Sequence, residues 1–152
     1  MIRPSGPHEA ETLWRVQRDA CLVAFPHIYP PELYPFPDEA VLAHYQEFEG
    51  AILVAEDGGR VVGLAAVHGC WLSNLYVLPR RWGSGVAREL HDAAVALLPD
   101  CREIKLWTLE ENHRGRRFYE KNGWRLNGET RVVPFPPHPH DVGYSYARET
   151  PP

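Results

Sequence analysis

The sequence predicts an α/β chain: one domain with a mixed, mainly antiparallel sheet flanked by helices. Two observations carry this. Short apolar runs rich in strand formers recur from Ala51 onward, separated by turn residues. Between them stand helical patterns, one of them long, so strands are followed by helices and then by strands again.

The elements follow in order. Ser5-Gly6-Pro7 reads as a helix start, and Leu13, Val16, Ala20, Cys21 and Ala24 share one helical face up to Phe25, where Pro26 ends the pattern. Asp38 to Glu49 is a second helix, with Asp38 as its cap and Val41, Leu42, Tyr45 and Phe48 turned inward. Ala51–Glu56 and Arg60–Val67 form a hairpin around Asp57-Gly58-Gly59. The strand that organises the rest runs from about Cys70 to Leu78. Pro79 stops it, and after Gly83 and Gly85 a helix carries Val86, Ala87, Leu90, Ala93, Ala94, Leu97 and Leu98 on one stripe. Glu103–Leu109 is a strand, Asn112–Asn122 a short helix ended by Gly123, and Trp124–Arg131 and Val142–Ala147 complete the sheet. Only Thr150-Pro151-Pro152 reads as unstructured.

A chain of 152 residues can bury a sizeable core. The net charge of −4 argues against nucleic acid as the main partner. No apolar run reaches the roughly 20 residues of a membrane span, and the first residues lack the apolar core of a signal peptide. Cys21, Cys70 and Cys101 are odd in number and widely spaced. They suggest neither a metal site nor a disulfide framework, hence a reducing, cytoplasmic setting. The sequence leaves room for a homodimer.

A strand, a glycine turn and a helix start together make an anion site. The first N–H groups of a helix lack internal partners and sit at the positive end of its dipole. Here the donors would be the backbone N–H groups of Trp82, Gly83, Ser84, Gly85, Val86 and Ala87, with Arg80 and Arg81 adding charge at the rim. The turn lacks the third glycine of a dinucleotide fingerprint and the Gly-Lys-Ser/Thr of a P-loop.

Arg80-Arg81-Trp82-Gly83-Ser84-Gly85, behind the strand Leu75-Tyr76-Val77-Leu78, resembles the Arg/Gln-x-x-Gly-x-Gly/Ala turn of the GNAT superfamily of N-acetyltransferases. Asn112 followed seven residues later by Tyr119 resembles that family's second signature, and the likeness is firm from about Val61 to Leu126. It implies one acyl-CoA N-acyltransferase fold over residues 1–152, acetyl-CoA as donor and an amine as acceptor. By resemblance, Leu75, Tyr76 and Val77 line the donor site. Asn112 bonds the pantetheine arm, Tyr119 meets the thioester sulfur and protonates the leaving thiolate, and the N–H of Leu75 or Val77 polarises the carbonyl. Arg117, within the cluster Arg114, Arg116 and Arg117, is a candidate for a CoA phosphate. Gly115 departs from the family's usual alanine.

Two proline-rich stretches, Phe25–Pro37 and Pro134–His140, are stiff and apolar at once. Phe25, Tyr29, Tyr34, Phe36 and Phe135 are therefore candidate walls for a small amine acceptor with apolar parts. The base is the least determined group. An ammonium must lose a proton before it attacks a thioester, and Cys70, Trp71, Leu72 and Ser73 offer no carboxylate. His68 is the nearest residue with a suitable intrinsic pKa, about 6.5; His138 and His140 are alternatives, and Cys70 lacks a partner base. Acetylation of a protein N-terminus or lysine, and a silent acyl-CoA-binding module, remain as rival functions.

Overall fold

Among the described residues, seven strands form one sheet in the order β1-β2-β3-β4-β5-β7-β6. The computed structural model describes residues 1–148, so the expected unstructured end at Thr150–Pro152 lies outside the described residues. The strands are β1 (Ile2–Pro4), β2 (Ala51–Asp57), β3 (Arg60–His68), β4 (Trp71–Val77), β5 (Glu103–Leu109), β6 (Arg125–Val132) and β7 (His140–Ala147). The helices are α1 (Ala10–Ala24), α2 (Asp38–Gln46), α3 (Val86–Ala96) and α4 (His113–Lys121), with a 3₁₀ turn at Pro79–Arg81. The mixed, mainly antiparallel sheet is as the sequence predicts.

The first strand was not legible. Ile2–Pro4 is too short to show a period, and its pairing with Leu53–Ala55 lies some fifty residues away. The same segment corrects the expected helix start at Ser5. Arg3 binds Glu9 through two nitrogens, at 2.8 and 2.9 Å, and Glu56 through Nε at 3.1 Å. Gly6 N–H donates to Glu9 at 2.6 Å, so α1 begins beyond that clasp. The Arg3 hydrogen bond above all holds the Glu9 carboxyl down, to about 2. In α2 the expected Asp38 cap is also corrected. Pro37 occupies the cap position, the Asp38 carboxylate accepts from Trp14 Nε1 at 3.1 Å, and the helix ends at Gln46 rather than Glu49.

α1 packs on one face of the sheet around Leu13, Val16, Tyr45 of α2, Val54 and Leu64. On the other face α3 packs Leu90 and Ala94 against Val62, Ala65, Val77, Ile104, Leu106, Trp124 and Tyr144. Alternation along each strand supplies both faces.

β4 and β5 are the one parallel pair among the described residues, and they meet only at Trp71 and Lys105, where Lys105 N–H donates to Cys70 O at 3.0 Å. Beyond that point they diverge. Beside this vertex Cys70 and Cys101 form a disulfide, with Cα atoms 5.8 Å apart, which overturns the expectation of unpaired cysteines. The crossover through α3 brings the start of β5 beside the start of β4, a proximity that spacing in the chain does not show. The cysteines therefore give no argument for a reducing compartment.

Candidate functional site

The splay leaves the β5-facing edge of β4 without a strand partner. Leu78 N–H donates to Val62 O of β3 at 2.8 Å, so alternation turns the N–H groups of Leu75 and Val77 away from β3, into the gap. The Val77 carbonyl agrees with this direction, since it accepts from Trp82 Nε1 at 2.8 Å.

The turn after β4 is built for a close approach. Gly83 and Gly85 have φ of +77° and +91°, and a Cβ at either would point into open space. Gly85 leads directly into α3, so the N–H groups of Val86, Ala87 and Arg88 have no acceptor within the helix. That cradle suits a phosphate. Two of the six expected donors are corrected, however: Trp82 N–H is spent on Pro79 O (3.0 Å) and Ser84 N–H on Arg81 O (3.2 Å), because the 3₁₀ turn closes on itself there. Arg81 is ion-paired with Asp57 and so is not a free rim charge, whereas Arg80 is exposed and unpaired among the described residues. From the arginine cluster it is Arg114 that reaches the turn, with its guanidinium 4.3 Å from the centre of the Trp82 ring. Arg117 is exposed and makes no ion pair among the described residues, and Arg116 is held by the Tyr144 hydroxyl and Glu110 O, both at 2.9 Å.

Asn112 caps α4. Its Oδ1 accepts from Gly115 N–H at 3.1 Å and its Nδ2 donates to Thr108 Oγ1 at 3.1 Å. The departure at Gly115 has a physical reason, since a Cβ there would sit 2.3 Å from Asn112 Nδ2. Tyr119, two turns on, packs edge-on against Phe118 and Trp124, with centroids at 5.5 and 6.0 Å. Its hydroxyl has no hydrogen-bond partner among the described residues. Burial pushes its phenol well up, so it keeps its proton.

One cavity of about 1090 Å³ runs through the gap. Tyr119, Asn112, Thr108 and Leu75 line it from the α3/α4 side, and Tyr76, Asn74, Trp71 and Trp107 from the other. Every expected acceptor residue is on its wall: Phe25, Tyr29, Tyr34 and Phe36 from the loop between α1 and α2, and Phe135 from the loop between β6 and β7. His68 is there too, exposed at the end of β3. His138 and His140 are not among the lining residues; His138 bonds Val133 O at 3.0 Å, and the backbone of His140 pairs with Val132. Cys70, bound in the disulfide, has no thiolate to offer.

Among the wall residues that sequence reasoning missed, Trp71, Trp107, Arg131 and Asp141 form one cluster. Trp71 and Trp107 stack with centroids 6.2 Å apart, and Arg131 lies 4.6 Å over Trp107. Asp141, 7% exposed, accepts from Arg131 Nε at 2.9 Å. They converge because β5, β6 and β7 are in register, with Asp141 opposite both Leu109 and Arg131. No local motif encodes that convergence.

A family model described as the acetyltransferase (GNAT) family matches residues 13–124. The chain belongs to this family. It is similar to an uncharacterized N-acetyltransferase of Mycobacterium tuberculosis, 36% identical over 106 residues that span 65% of this chain and 67% of the relative. Among solved structures, apo YjaB from Escherichia coli superposes with a TM-score of 0.78 at 23% identity, covering 96% of each chain. The PaiA N-acetyltransferase of Thermoplasma acidophilum, in complex with coenzyme A, gives 0.76 at 19% identity over 97% of this chain and 98% of that one. Both share the fold. Among the described residues no helix is long and apolar enough to cross a membrane.

Proposed function

We propose that the chain moves an acetyl group from acetyl-CoA to the primary amine of a small molecule. The observation that carries this reading is the cavity beside the splay, whose wall joins the aromatic loops to Leu75, Asn112 and Tyr119, the residues expected at the reactive end of the donor. The N–H groups of Gly83, Gly85, Val86 and Ala87 would hold the pyrophosphate, with Arg80 and Arg114 supplying charge beside it. Tyr76 and Val77 would flank the pantetheine arm beside Asn112. The N–H of Leu75 or Val77 would polarise the thioester carbonyl in the gap.

The amine nitrogen adds to the carbonyl carbon, so that a C–N bond forms and the C–S bond breaks. His68 is the proposed base for the nitrogen's proton, and Tyr119 donates its hydroxyl proton to the leaving sulfur. Phe25, Tyr29, Tyr34, Phe36 and Phe135 enclose the acceptor. An aromatic wall of this kind supports an acceptor with apolar parts.

Thiol release from acetyl-CoA, measured against a broad amine panel, tests the reading. Release that depends on a small amine supports it. Release only with peptide N-termini or lysine peptides replaces it with protein acetylation. Acetyl-CoA binding without release for any amine makes the chain a silent acyl-CoA-binding module.

A further inference from the structure

Asp141 is the one acidic side chain among the residues that line the cavity. It is held at a fixed place, because β7 sets its backbone between Leu109 on one side and Arg131 on the other. Its burial is lopsided relative to its partner: 9% of the Asp141 side chain is exposed against 53% of Arg131. The guanidinium therefore sits at the rim and the carboxylate inside. One carboxylate oxygen accepts from Arg131 Nε, and the other accepts no hydrogen bond among the described residues. That oxygen is not one of the fully buried unpartnered polar atoms, so it keeps access to the cavity that Asp141 lines. The charge also reaches across the cavity. After burial itself, the Asp141 charge is among the causes that push up Tyr29, to about 12, and it adds last to those that raise the buried Tyr76.

We propose that the free oxygen of Asp141 receives the ammonium of the acceptor, and that the substrate class is therefore a cationic amine with an aromatic or apolar body. This rests on the cavity being the acceptor site. Arg131 is the positioning residue: it fixes the carboxylate and covers Trp107, leaving the Trp71, Tyr34 and Phe135 rings of the wall for the apolar body. His44, another polar side chain on the wall, is already bonded to Asn74 Oδ1 at 2.7 Å. His68 is exposed and carries no fixed negative charge.

The test uses two probes of one shape, 2-phenylethylammonium and the neutral 2-phenylethanol, titrated calorimetrically into the full chain with coenzyme A present. A charge-assisted hydrogen bond to a buried carboxylate gives the ammonium at least about a tenfold advantage in the wild type. Asp141→Asn keeps an acceptor for Arg131 but loses the charge. It should abolish the advantage while leaving coenzyme A affinity unchanged. Equal binding of the two probes by the wild type, or binding of neither, overturns the inference without recourse to a variant that might not fold. An ammonium preference that persists in folded Asp141→Asn overturns it as well. An ammonium preference without acetyl transfer to any amine would leave the inference standing and remove the acetyltransferase reading. Acetyl transfer without charge preference would do the reverse.

Discussion

The two halves of the proposed site are built from different material. On the proposed donor side the chemistry is backbone: Gly83 and Gly85 at positive φ, the first N–H groups of α3, and the unpaired edge of β4. On the acceptor side it is side chains drawn from distant places: α1–α2, β4, β5 and the β6–β7 loop. A backbone site is encoded over a few consecutive residues and tolerates change in the side chains around it. A side-chain site depends on strand register and changes with any one of its members. The donor half is thus the part that proteins of one family can share, and the acceptor half the part that can diverge.

Tyr119 stands where the halves meet, and the largest effect is expected there. Tyr119→Phe keeps the ring packed against Phe118 and Trp124 and deletes the proton. General-acid contributions run to about 10²–10⁴-fold, so kcat should fall by that order with acetyl-CoA affinity and Tm nearly unchanged. The sign of its pKa shift adds a check. Burial raises the phenol, so the acid form persists as pH rises, and no loss of rate from Tyr119 ionisation is expected up to at least about pH 10. A wild-type rate for the chemical step in this variant, measured before steady state, removes the acid assignment.

The vertex of the splay is shared by both halves. The Cys70–Cys101 bond closes a loop with a sequence separation of 31, for which loop-closure entropy gives about 3–4 kcal/mol. Cys70→Ser should lower Tm by about 10 °C under oxidising conditions. It should also weaken donor and acceptor binding together, because β4 and β5 are otherwise joined there by one bridge. A change confined to one ligand would mean that the halves do not hang on a common vertex.

One pair of experiments separates the halves. Gly85→Val sets a β-branched residue at φ +91° and aims its Cβ into the space beside the helix start. Acetyl-CoA should bind at least about tenfold more weakly, with about 1–3 kcal/mol of backbone strain appearing in Tm and acceptor KM little changed. Tyr34→Ala and Phe135→Ala should show the opposite pattern, a severalfold rise in acceptor KM with donor affinity intact. If either set moves both ligands equally, the division into a backbone half and a side-chain half is wrong.

What was legible in the chain follows the same division. The strand, the Pro79 stop, the two glycines and the α3 stripe are consecutive, and their period and punctuation identify them. The proline loops were legible as walls because stiffness and apolarity are local properties of composition. β1, the disulfide, and the Trp71, Trp107, Arg131 and Asp141 cluster were not, since each exists only through pairing between segments tens of residues apart. The expected rim charge at Arg81 failed for a related reason: its partner Asp57 belongs to the β2–β3 hairpin.

The smallest expected effect concerns Gly115, on the seam of the two halves. In a helix, glycine costs about 1 kcal/mol relative to alanine, and propensity alone predicts that Gly115→Ala stabilises α4. The structure opposes this. The new Cβ would fall 2.3 Å from Asn112 Nδ2, and the carboxamide would have to leave both Gly115 N–H and Thr108 Oγ1. The side chain can rotate away, so no severe clash remains, but the cap is lost at about 1 kcal/mol. The two terms nearly cancel, and Tm should stay within about 3 °C of the wild type. The cancellation is exposed by a cycle. Asn112→Ala alone should lose about 1 kcal/mol, and Gly115→Ala placed on that background should regain it in full, because nothing is left to displace. The coupling between the positions is then about 1 kcal/mol. Additive effects would show that Gly115 is merely a poor helix residue and that Asn112 does not depend on it.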